Sequence, residues 1–303
     1  MATLLKNFIK LVLYSKNKTT DGYVYTISNP LVLIKGSGII KLTDGSSFQF
    51  NKNTKKDTLS LVYFALDYGI RFGNSEHKWK YDSIKGIIET PTKLKFSIKN
   101  FDGFILAETF LFDIHFCGFD LSNKIVIEGG AFVGDTALYY ANMGARVYSF
   151  EPDEKLFQLA KENISLNKSL QSRITLNNWA IGNDGYVSFS QLQNVSSKNN
   201  IVKTAKVRSI SISRILEELG ILDPYLLHLD IKGAEFDVIN DTSLSRFQRI
   251  RIEYSIFLVD DINKNLEYLL SKLDEYGFRH VRVFKHNSMR YDLLTHGTID
   301  ASK

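Results

Sequence analysis

The chain of 303 residues holds one cysteine, Cys117, so no internal disulfide can form and a reducing, cytoplasmic compartment is the expectation. It also lacks any run of eighteen apolar residues, which excludes a membrane-spanning helix. The N-terminal stretch MATLLKNFIKLVLYSKNK is apolar but interrupted by Lys6 and Lys10, and no small-residue cleavage site follows it. It reads as a short amphipathic helix, with a peripheral contact at a membrane surface as the functional alternative to simple docking. A net charge of +5 is spread along the chain without an arginine cluster or a basic stripe interleaved with aromatics. That distribution argues against a nucleic-acid partner.

What is present falls into two patterns. Residues 1–119 contain strand-like runs, GYVYTI, LVLIKGSGIIKLTDGSSFQF, KLKFSI and FILAETFLF, and one helical segment, LSLVYFALDYGI. Asp21-Gly22, Asp44-Gly45 and Asp102-Gly103 provide turn chemistry suited to tight hairpins. The expectation is a β-rich, antiparallel accessory domain without recognisable chemistry.

From residue 120 to 303 short apolar strands alternate with amphipathic helices, the pattern of a mostly parallel, doubly wound sheet. KIVIE, ARVYSFE, SRITLNNWAIG, LLHLD and RIRIEYSIF read as strands, with HVRVFK and MRYDLL as a terminal hairpin. Ligands of such sheets bind beyond the carboxyl ends of the strands, where the strand order reverses. The residues at those ends are Glu128 with its following glycines, Glu151, Asn178, Asp230 and, within RIRIEYS, Glu253.

Gly129-Gly130-Ala131-Phe132-Val133-Gly134 partly fits a dinucleotide fingerprint, with Ala131 at the position of the second glycine. A nicotinamide-dependent oxidoreductase is therefore one reading. Glu128 opposes it, because a carboxylate beside a pyrophosphate is repelled. S-adenosylmethionine carries no phosphate and tolerates an acid at this turn. Glu151 can accept from both ribose hydroxyls of either cofactor, and Asn178 stands where an amide can meet an adenine edge, with Trp179 beside it.

VIEGGAFVGDTALYYANMGARVYSFEPDEKLFQLAKENISLN, ITLNNWAIG and VRSISISRILEELGILDPYLLHLDIKGAEFDVI together resemble the FkbM family of S-adenosylmethionine-dependent methyltransferases, over roughly residues 120–285. The resemblance implies the class I methyltransferase fold: a Rossmann-like, mostly parallel seven-stranded sheet with helices on both faces. It also implies O-methylation of a hydroxyl on a sugar, glycan or secondary metabolite. Carried onto this chain, Glu128, Gly130 and Gly134, with Ala131 and Asp135 in the same turn, hold the methionine part of the cofactor. Glu151 with Pro152 holds the ribose, Asn178 and Trp179 lie at the adenine, and Asp230 lies nearest the sulfonium. Lys232 stands where the family usually shows glutamate, reversing a charge beside the acceptor site.

Removal of a hydroxyl proton needs a base. Asp230, Glu235, Glu253 and His228 are the candidates, His228 sharing a strand face with Asp230 by two-residue spacing. Lys232 can pair with Glu235 or with an anionic acceptor. No spacing demands a metal. A methyltransferase-like binding protein without catalysis is the non-enzymatic alternative.

Overall fold

The computed structural model describes residues 30–41, 47–55, 58–59, 62, 80–82, 85–90, 92–97, 109–110, 120–191, 203–259, 261–284 and 293–303. The N-terminal segment read as an amphipathic helix, the GYVYTI run and the Asp44-Gly45 turn lie outside them. The chain divides into two compact units, Met1–Cys117 and Gly118–Lys303.

In the first unit five short strands, β1 (Gly38–Lys41), β2 (Ser47–Phe50), β3 (Lys80–Asp82), β4 (Ile87–Glu89) and β5 (Lys95–Ser97), form one sheet in sequence order. Ile40, Phe48, Phe50, Ile88 and Phe96 are its buried apolar positions; in β2, Phe48 and Phe50 alternate with the less buried Ser47 and Gln49 as a period-2 strand requires. Three details differ from the sequence reading. The pairing of β2 with β3 is parallel, so the sheet is mixed rather than antiparallel. Pro30–Ile34 winds into a short 3-10 helix where a strand was expected, led by a proline that cannot donate to a ladder. Thr109 and Phe110, within the fourth expected strand, are helical, and the Phe110 ring lies 5.3 Å from that of Phe96.

The second unit is built on seven strands. β6 (Ile125–Gly129), β7 (Arg146–Phe150) and β8 (Ile174–Asn177) run outward in one direction. β12 (Leu226–Leu229) and β13 (Arg249–Ser255) run outward in the other, followed by β15 (His296–Ser302) and β14 (His280–Phe284). The spatial order is β14-β15-β13-β12-β6-β7-β8, with β15 alone antiparallel to its neighbours. The order therefore reverses between β6 and β12. This is the class I methyltransferase sheet, and the reversal fixes where a ligand can bind.

Among the described residues, five α-helices connect these strands: α1 (Asp135–Asn142), α2 (Glu154–Leu166), α3 (Ile212–Glu218), α4 (Glu235–Val238) and α5 (Leu266–Glu275). Asp153 caps α2 by accepting from the amides of Lys155 and Leu156, just after Pro152. Gly144 closes α1 in a left-handed conformation, its amide donating to the Ala141 carbonyl. Two expectations are corrected. The SRITLNNWAIG run splits: Ala180–Ile181 leaves the main sheet as β9 and joins a three-stranded sheet with β10 (Gly185–Gln191) and β11 (Lys203–Ile210). The terminal hairpin partner of β14 is HGTIDAS, not MRYDLL. A strand carrying His, Gly, Thr and Asp gives little hydrophobic signal, although six of its seven residues are buried.

The two faces of the large sheet differ in chemistry. One carries Ile127, Leu227, Leu229, Ile250, Ile252, Ile299 and Ala301, packed with Ile215, Leu216, Phe236, Leu269 and Leu273 of α3, α4 and α5. On the other, strand register aligns Ser149, Glu128, His228, Arg251 and Asp300 in one row across β7, β6, β12, β13 and β15. All five are buried. Tyr140 of α1 meets His228 edge-on, with ring centroids 5.7 Å apart.

Candidate active site

The loop from β6 to α1 closes on the end of β7. The amides of Gly130 and Ala131 both donate to the Phe150 carbonyl, at 2.9 and 3.0 Å. The Phe132 amide donates to Glu151 Oε2 at 2.8 Å, and the Asp153 amide to Glu151 Oε1 at 2.9 Å. A β-carbon at Gly130, which holds φ +87, would collide with the Asp230 carbonyl oxygen. Only glycine permits so close an approach of the β6 and β12 ends. Phe132 adopts φ +48, a left-handed conformation uncommon outside glycine. Asn163 of α2 braces the same turn by donating to the Val133 carbonyl at 2.8 Å.

Glu128 lies beneath this turn, with no exposed surface. Its Oε2 accepts from the Ser149 hydroxyl, and its Oε1 has no hydrogen-bond partner among the described residues. Burial pushes its carboxyl up to about 8, against a smaller downward pull from Ser149. Glu128 is thus largely protonated near neutral pH. Its repulsion of a phosphate, the reason for reading it as selective between cofactors, is correspondingly weak. Glu151 is also pushed up by burial, to about 7, although the amides of Asp153 and Phe132 pull the other way. Its two oxygens retain acceptor capacity beyond the two amides they bind.

Asn178 donates through Nδ2 to the carbonyls of Glu151 and Pro152, at 2.9 and 3.2 Å. It therefore shapes the loop behind Glu151. Trp179 packs 6.2 Å from the Phe150 ring, and the Arg208 guanidinium stacks 4.0 Å from its centroid. At least one indole face is thus occupied.

The loop after β12 gathers the second group of charges. Lys232 Nζ lies 2.6 Å from Asp230 Oδ1 and 2.7 Å from Glu253 Oε1. The expected pairing with Glu235 is replaced by this double bridge. Burial pulls the ammonium down, but the charges of Asp230 and Glu253 outweigh it and raise its pKa above the ordinary lysine value. Lys232 is consequently a fixed cation at neutral pH and no base. It holds φ +47, followed by Gly233 at φ +101, and its side chain is 55% exposed. The site opens to solvent at this point.

Glu235, read from sequence as a catalytic candidate, is wholly buried and accepts from the amides of Gly233 at 2.7 Å and Ser255 at 3.0 Å. Desolvation raises its carboxyl to about 7. The geometry makes it a clamp between the β12 loop and β13. His228 sits in the buried polar row rather than at the strand end.

His296 escaped the sequence reading. At the start of β15 and opposite Ser255, its Nδ1 lies 2.7 Å from the Tyr254 carbonyl oxygen and 3.1 Å from Ser255 Oγ. A carbonyl only accepts, so Nδ1 carries a proton and Nε2 is the basic nitrogen of the neutral ring. That Nε2 lies 3.9 Å from Glu253 Oε1. Its signal was hidden because it belongs to the weakly apolar strand HGTIDAS.

The glycine cradle between β6 and β12, the acid that ends β7 and the seven-stranded order define a class I methyltransferase, using S-adenosylmethionine. Residues 128–280, just over half the chain, match the family model described as the Methyltransferase FkbM domain. The chain belongs to the FkbM methyltransferase family.

Among solved structures, it is similar to a putative transferase from Pyrococcus horikoshii at 15% identity, covering 91% of this chain and 94% of that one, with a TM-score of 0.43. The N-terminal domain of human METTL16 in complex with SAH matches at 14% identity over 98% of this chain and 94% of that one, TM-score 0.39. Precorrin-6y C5,15-methyltransferase from Geobacter metallireducens matches at 13% identity over 60% and 81%, TM-score 0.36. No curated protein matches the chain. Among the described residues no helix is long and apolar enough to cross a membrane.

Proposed function

We propose that this methyltransferase O-methylates a neutral hydroxyl of a sugar, glycan or secondary metabolite. The observation that carries the reading is the Asp230–Lys232–Glu253 bridge at a solvent-open mouth, backed by His296. Among the described residues, two carboxylates against one ammonium leave this bridge no surplus positive charge for an anionic acceptor. They do offer several acceptor oxygens to a polyhydroxyl compound.

The cradle at Gly130, Ala131, Gly134 and Asp135, over the buried Glu128, suits the methionine end of the cofactor. Glu151, at the end of β7 beside Pro152, suits the ribose hydroxyls. Bound S-adenosylmethionine supplies an electrophilic methyl group on sulfur. The chain's contribution is alignment, which is worth about 7–11 kcal/mol in well-oriented reactions, together with removal of the hydroxyl proton. In this reading the proton passes to the Glu253 carboxylate, with His296 Nε2 as the neighbouring acceptor. Lys232 holds Glu253 in place.

The test is incubation with isotopically labelled S-adenosylmethionine and a panel of neutral glycosides, with mass spectrometry locating the methyl group. An oxygen-linked methyl group, and a loss of about 10²–10⁴-fold in turnover for Glu253→Gln, are expected. Transfer to carbon or nitrogen, or full turnover in Glu253→Gln, would contradict it.

A further inference from the structure

We propose that Lys232 is a tethered cation: its ammonium occupies the position a divalent metal would take between Asp230 and Glu253, so that methyl transfer proceeds without a metal. The proposal rests on the acceptor site described above, but its test needs no acceptor.

The geometry carries it. One Nζ makes two short charged contacts, 2.6 Å to Asp230 and 2.7 Å to Glu253, across the ends of two adjacent parallel strands. Isolated surface ion pairs contribute little, but a cation shared by two carboxylates forms a network. The loop holds this arrangement at a cost, since Lys232 is left-handed at φ +47, where side chains with a β-carbon are disfavoured. Glu235 fixes the loop from below through the amides of Gly233 and Ser255. Among the described residues no three His, Cys, Asp or Glu side chains are grouped so as to hold a metal ion.

Without the ammonium, two hard oxygen ligands would face each other at an open mouth, with His296 beside Glu253. Magnesium and manganese are commonly held by one or two carboxylates and water. The single lysine thus decides between an internal and an exchangeable cation.

Mn²⁺ titration of the apoprotein, followed by electron paramagnetic resonance, tests this directly. Lys232→Gly suits the left-handed backbone and should bind one Mn²⁺ at least about tenfold more tightly than the wild type, a difference of about 1.4 kcal/mol. Adding Glu253→Gln should abolish that binding. Lys232→Arg keeps the charge and should bind Mn²⁺ no more tightly than the wild type. Mn²⁺ binding by the wild type that is lost in Glu253→Gln would overturn the proposal. So would failure of a folded Lys232→Gly variant to bind Mn²⁺.

Discussion

The loops after β6 and β12 solve the same problem with different materials. Each follows a parallel strand at the point of reversal, and each contains a left-handed residue that is not glycine, Phe132 or Lys232. Each is tied down by a buried glutamate that accepts two backbone amides. Glu151 receives Phe132 and Asp153, and Glu235 receives Gly233 and Ser255. Both carboxyls are raised to about 7 by burial. The difference lies in what the loops present. The first turns its amides inward and leaves a glycine-lined cradle. The second turns a lysine outward between two carboxylates. The first is suited to holding a ligand of fixed structure, and the second to charge placement at an open mouth.

Substitutions that break one loop at a time sharpen this contrast. The largest effect is expected from Gly130→Ala, whose β-carbon would strike the Asp230 carbonyl at positive φ. Calorimetry with S-adenosylhomocysteine should show no measurable binding. Retained affinity would mean that the two strand ends do not meet as described.

Comparison of the two glutamate clamps should separate ligand binding from stability. Glu235→Ala leaves the buried Ser255 amide without an acceptor, at a cost of about 1–3 kcal/mol in unfolding free energy. Chemical denaturation reads that loss. Glu151→Ala also frees two amides, those of Phe132 and Asp153, but should in addition weaken cofactor binding about 10- to 100-fold, since hydrogen bonds to a charged acceptor are each worth roughly 1.5–3 kcal/mol. Equal effects of the two substitutions on cofactor binding would contradict separate roles for the two loops.

A further effect concerns pH. Glu128 keeps its proton in the folded state up to about pH 8, whereas its ordinary value is 4.5. A raised folded value makes its contribution full at acidic pH and lost as pH rises through about 8. The melting temperature of the apoprotein should therefore fall between pH 5 and 9. Glu128→Gln, which cannot ionise, should fall less steeply; an unchanged slope would contradict the buried, protonated state.

How far the sequence revealed this site depended on the range of the interactions. The β6 turn, the end of β7 and the tip of β12 are local: glycines, an acid and a strand end lie within a few residues of each other. Most strands of the large sheet were legible for the same reason, being strongly apolar and separated by capped helices, but HGTIDAS was not. Long-range partners were not. Lys232 was expected to pair with Glu235, three residues away, and instead reaches Glu253 on β13. Glu235 was one of four candidate bases, yet its oxygens are turned to backbone amides. His296 was invisible because its strand is paired on both sides and needs few apolar residues to stay buried. Burial also raises the Glu128 carboxyl to about 8, a charge effect that composition does not reveal.

The most direct measurement of the central claim is calorimetric titration of the wild-type protein with S-adenosylhomocysteine, alongside Gly130→Ala and Glu151→Ala. Single-site binding by the wild type, lost in Gly130→Ala and weakened about 10- to 100-fold in Glu151→Ala, is the predicted result. Absence of binding by the wild type, or equal affinity in all three proteins, would contradict a cofactor site between β6 and β12.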